Sequence, residues 1–73
     1  MITMYWFNKE MKEKLLKGRK IKYMAENIFF VSPEYLISVL NGKRGCSIRL
    51  AKDIRDNIDR EAEIEKFFYK KGE

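Results

Sequence analysis

The chain has 73 residues, 16 of them basic and 11 acidic for a net charge of +5, with no histidine and one cysteine. Those counts leave room for one domain, residues 1–73, built around one core. They exclude an intramolecular disulfide and a Cys/His zinc site, and they imply no cofactor.

No apolar run approaches the roughly 20 residues that a membrane span needs. The opening MITMYWF is apolar, but no basic region precedes it and no small-residue cleavage site follows, so it does not read as a secretion signal. The lone thiol of Cys46 suits a reducing compartment, and a cytoplasmic location is expected. Residues 1–50 carry ten Lys/Arg and four Asp/Glu, giving +6, whereas residues 51–73 carry six and seven, giving −1. A basic N-terminal part points toward phosphate backbones, although lysine-rich faces are often merely solvated.

Helical periodicity dominates the chain, and a brief strand signal in Ile2–Trp6 is the exception. A first helix is expected from about Asn8 to Lys17, with Phe7, Met11 and Leu15 on one face and Gly18 as its C′ residue. A second runs from about Lys20 to Ile28, burying Ile21, Met24, Ala25 and Ile28. The third has the sharpest start, with Ser32 as N-cap and Pro33 at the first helical position, where its missing N–H costs nothing. Leu36, Val39 and Leu40 face inward, and Asn41-Gly42 ends it. Ser47 caps a fourth helix with Leu50, Ala51, Ile54 and Ile58 on one face. A fifth is expected from about Asp59, acidic in its first turn (Glu61, Glu63) and basic in its last (Lys70, Lys71), with Ile64, Phe67 and Phe68 as its apolar stripe. The expected fold class is all-α, a compact bundle of five helices.

The segment from Ala25 to Ile54, AENIFFVSPEYLISVLNGKRGCSIRLAKDI, resembles the Cro/repressor family of phage and bacterial helix-turn-helix regulators. The matching features are Ala25, Val31-Ser32, Tyr35-Leu36, Val39-Leu40, Asn41-Gly42-Lys43, and Ser47, Leu50, Ala51 and Ile54. The resemblance implies a lambda-repressor-like domain with its helix-turn-helix at about residues 20–42 and the third helix in the DNA major groove. It implies base-reading roles for Ser32, Glu34, Ile37 and Ser38, and phosphate contacts for Arg19, Lys20, Lys22, Lys43, Arg44 and Arg49. Two features depart from the family pattern: Ile21 stands where the family often has a glutamine that contacts phosphate, and the turn before Ser32 is altered. Seven positions separate Ala25 from Ser32 where the family usually has six, and Phe29-Phe30 stand where the turn glycine would be. Because a phenylalanine at positive φ is strained, a longer turn of different shape is expected.

The aromatics Tyr5, Trp6, Phe7, Phe29, Phe30, Phe67, Phe68 and Tyr69 have two readings. Either they close the core over one another, or they form a protein interface, in a homodimer or against a partner. No nucleophile–base pair is apparent, since the chain lacks histidine, and no glycine loop is suited to a phosphate, so an enzyme is not expected. Two functions remain. One is a small phage- or mobile-element-type transcriptional regulator that binds double-stranded operator DNA. The other is a helix-turn-helix modulator or antirepressor acting by contact with a repressor or another protein. The basic flanks favour the first; the altered turn, the acidic and apolar third helix and the surplus aromatics favour the second.

Overall fold

The two ends of the chain pair with each other. In the computed structural model, which describes residues 3–72, β1 (Thr3–Phe7) runs antiparallel to β2 (Phe68–Gly72), with Trp6 opposite Tyr69 and Phe7 opposite Phe68. The Phe7 and Phe68 rings meet edge to face at 5.2 Å, a favourable aromatic geometry. On its other side β1 forms a bridge to Cys46: the Tyr5 N–H donates to the Cys46 carbonyl at 2.9 Å, and the Cys46 N–H donates back at 2.8 Å. Gly45 makes that approach possible. A Cβ there would lie 2.8 Å from Met4 Cβ and 2.9 Å from the Trp6 indole nitrogen.

Between the strands lie α1 (Lys12–Leu16), α2 (Ile21–Met24), α3 (Pro33–Leu40) and α4 (Ile48–Ile58). The expectation of an all-α five-helix domain is therefore corrected. The fold is mixed α/β, with four α-helices and a two-stranded antiparallel sheet. The fifth helix does not form. Asp59 leaves α4 in an extended conformation (φ −158°, ψ 105°), a single 3₁₀ turn spans Ile64–Lys66, and the chain then enters β2. The spacing of Ile64 and Phe67, three apart, suits one 3₁₀ turn as well as an α-helix, and both residues are buried. What decides between them is β1, which offers Phe68 and Tyr69 a partner strand that no local pattern can supply.

α1 is shorter than expected because its first turn is 3₁₀ (Lys9–Met11), capped by Asn8 Oδ1 accepting from the Glu10 N–H at 3.0 Å. It ends where Lys17 (φ 50°) and Gly18 (φ 83°) both turn left-handed. α2 widens into a π turn over Ala25–Phe29, in which the Ala25 carbonyl accepts from both the Phe30 and Val31 N–H groups. This absorbs the additional residue between Ala25 and Ser32. The turn does not avoid positive φ, however: Phe30 adopts φ 57°, ψ 47°.

α3 begins as expected, with Ser32 Oγ accepting from the Tyr35 N–H at 3.2 Å and Pro33 at the first position. It ends in a Schellman motif, with Gly42 (φ 74°) donating to Val39 O at 3.1 Å and Lys43 donating to Ser38 O at 3.0 Å. α4 starts at the Ser47 cap. All the elements contribute to one core, in which Leu15, Met24, Ala25, Leu36, Val39, Leu40, Cys46, Ala51 and Ile54 have no accessible surface. Among the described residues, no helix is long and apolar enough to cross a membrane.

Candidate nucleic-acid interface

α3 is fixed from one side only. Leu36, Val39 and Leu40 anchor it in the core, while Glu34 and Ile37 are exposed (Ile37 by 41%) and Ser38 is half-buried. Ser32 lies exposed at the helix entrance, its hydroxyl oxygen already accepting the capping hydrogen bond. The four residues expected to read bases therefore lie along one accessible flank. That flank carries an acceptor, an apolar side chain and two hydroxyls, and no cation.

The cations lie on the segments that precede and follow it in the chain. Lys43 and Arg44 follow the C-terminus of α3 and are exposed, and Arg49, also exposed, occupies the first turn of α4. Lys20 and Lys22 are exposed at the start of α2. Arg19 behaves differently. Its guanidinium donates to the Leu16 carbonyl at 3.1 Å and the Leu15 carbonyl at 3.0 Å, closing the C-terminus of α1. It is half-buried and committed to that helix end, so the expected Arg19-Lys20-Lys22 phosphate cluster reduces to its two lysines.

Two contacts at this surface escaped the sequence reading. Lys12 Nζ donates to Asn41 Oδ1 at 2.9 Å, tying α1 to the residue that terminates α3. The Arg44 guanidinium lies over the Tyr35 ring, 4.7 Å from its centroid. Burial pushes the Tyr35 phenol above its usual range, the nearby Cys46 adds to the rise and the Arg44 charge opposes it, so the ring stays neutral at ordinary pH.

Comparison with protein-family models, curated proteins and solved structures returns no match. Function must be argued from the residues themselves.

The expected aromatic interface divides. Phe7, Phe29, Phe67 and Phe68 are core residues and offer no surface to a partner. Tyr5 and Trp6 are half-buried in the sheet, which leaves Tyr69 (49% exposed) and Phe30 (80% exposed). Phe30 borders an open cleft of about 590 Å³ between the α2–α3 turn and α4, lined also by Ile28, Val31, Arg49, Leu50 and Asp53. Cys46 is fully buried, and burial pushes its thiol up to about 12, so little of the nucleophilic thiolate exists at neutral pH.

Proposed function

We propose that this chain is a small transcriptional regulator of the phage or mobile-element type, binding double-stranded operator DNA through α3. The observation that carries the reading is the one-sided anchoring of α3, with exposed lysines and arginines at its exit and on the neighbouring helix starts. A helix so held can enter a major groove, roughly 12 Å wide, without unpacking the core. Glu34 can accept from cytosine N4, Ile37 can meet a thymine methyl, and Ser32 and Ser38 can pair with several bases. Lys20, Lys22, Lys43, Arg44 and Arg49 would hold the backbone. The resemblance of Ala25–Ile54 to the Cro/repressor family supports the same reading.

A second reading has one observation in its favour. Phe30 is held exposed, in a conformation unfavourable for phenylalanine, at the mouth of a cleft. A modulator or antirepressor acting through another protein would use such a side chain as an anchor.

Fluorescence anisotropy on a labelled duplex across a salt series tests the first reading. Affinity should fall linearly in log–log form, by about 0.9 units of slope for each phosphate neutralised. Glu34→Ala or Ile37→Ala should change which sequence is preferred, by about 1–3 kcal/mol at the base concerned. If the wild-type protein has no salt-dependent affinity for any duplex at low ionic strength, direct DNA binding fails. Protein contact then becomes the leading function.

A further inference from the structure

The segment Lys43-Arg44-Gly45 is held at both ends. Before it, the Schellman hydrogen bonds from Gly42 and Lys43 close the end of α3. After it, Cys46 is bridged to Tyr5, and Gly45 packs so closely on Met4 and Trp6 that no larger residue fits without a shift. The backbone under Arg44 is thus fixed, and only its long side chain retains conformational freedom. That freedom is restricted by Tyr35, whose ring is half-buried against the core and rests in the first turn of α3. With the guanidinium 4.7 Å from the ring centroid, the pair is well within cation–π range.

We propose that Tyr35 is a positioning residue, holding the Arg44 guanidinium beside α3 in the orientation that receives a DNA backbone phosphate. This rests on the DNA-binding reading above and adds to it a specific device. A guanidinium resting over an aromatic ring, as Arg44 does here, still has N–H groups to offer in the bidentate contact that phosphate accepts. Fixing the side chain in the free protein removes much of the entropy loss that binding would otherwise impose. The device requires an aromatic at 35 and an arginine at 44. Lysine has the charge, but it lacks the flat, weakly hydrated face that stacks and the fork that binds two phosphate oxygens. Tyr35 touches no base in this scheme, so its effect is on affinity for every duplex rather than on sequence choice.

The test combines duplex affinity, measured by anisotropy for wild type, Tyr35→Phe, Tyr35→Leu, Arg44→Lys, Arg44→Ala and the Tyr35→Leu/Arg44→Ala double variant, with Arg44 Nε–H dynamics measured by NMR on the free protein. Circular dichroism checks that each variant is folded. Tyr35→Phe should bind as wild type does. Tyr35→Leu and Arg44→Lys should each weaken binding roughly three- to tenfold, the range expected for ordering one long side chain. Tyr35→Leu should add no further loss to Arg44→Ala, since the two act as one unit. The Arg44 Nε–H should be rigid in wild type and mobile in Tyr35→Leu. An additive double variant, a Tyr35→Leu protein that is folded and binds like wild type, or a mobile Arg44 in wild type overturns the inference and leaves DNA binding standing. Should Tyr35→Leu fail to fold, the Arg44→Lys affinity and the wild-type dynamics decide. A wild-type protein that binds no duplex at all removes the DNA-binding reading and this inference with it.

Discussion

Cys46 has no accessible surface, and its pKa is pushed up to about 12 by burial between β1 and the start of α4. An unfolded thiol ionises near 8.5, so between about pH 9 and 12 the unfolded chain has lost this proton while the native chain keeps it. The native state then binds more protons than the unfolded one, and stability falls as pH rises through that window. The slope from this group reaches about 1.4 kcal/mol per pH unit and fades to almost nothing below about pH 7. A Cys46→Ala variant lacks the titration but shares every lysine. The stability advantage of wild type over Cys46→Ala, measured by urea unfolding, should therefore shrink between pH 9 and 11. A constant difference would mean that the thiol ionises as readily in the folded protein as in the unfolded one.

At the scale of elements, the α2–α3 turn shows how an insertion is accommodated. Widening one turn of α2 to π places the additional residue inside the helix, so Ser32 still caps α3 and Leu36 still reaches the core. The cost falls on Phe30, left-handed at φ 57° with 80% of its surface exposed. A left-handed residue with a Cβ costs about 1–2 kcal/mol, against about 0.5–1 kcal/mol for the extra chain entropy of glycine. Phe30→Gly should therefore raise stability by about 0.5–1 kcal/mol, seen as a higher urea midpoint at unchanged slope. A destabilised Phe30→Gly would show that the ring contributes packing that its exposure conceals. Residue 30 also marks a limit of local reading. The seven-residue spacing and the missing glycine are visible in the sequence, and both point to an altered turn. Whether the chain responds with a longer loop or a π turn depends on where α3 must dock, which is tertiary information. The caps at Ser32 and Ser47 and the stop at Gly42 were legible because each is set by a few adjacent residues. The β1–β2 pair was not, because its partners lie at opposite ends of the chain, and the stripe of Ile64, Phe67 and Phe68 satisfies helical spacing equally well.

The sequence divides its charge unevenly, +6 over residues 1–50 and −1 over residues 51–73, but the folded molecule does not use every cation alike. Composition could not distinguish Arg19 from its neighbours, since the bonds that occupy it run to main-chain carbonyls of a helix whose end was placed only approximately. Lys20 lies next to it in the chain and is exposed, with no such carbonyl to bind among the described residues. The two should therefore separate experimentally. Arg19→Ala removes the guanidinium's hydrogen bonds to the Leu15 and Leu16 carbonyls, although Leu16 O keeps the Arg19 backbone N–H at 2.8 Å, and should lower stability by about 0.5–1.5 kcal/mol, the usual worth of a hydrogen bond. It should leave the salt dependence of duplex binding nearly unchanged. Lys20→Ala and Lys43→Ala should do the reverse, each keeping stability within about 0.5 kcal/mol of wild type and flattening the log–log salt slope by about 0.9. Melting curves and a duplex titration at four or five salt concentrations give both quantities for each variant. If Arg19→Ala flattens the slope as much as Lys20→Ala does, its guanidinium leaves the helix end to bind phosphate, and the basic cluster works as a unit of three. If neither lysine variant changes the slope, the phosphate contacts lie elsewhere, with Lys22, Arg44 and Arg49 the exposed cations of the proposed set that remain.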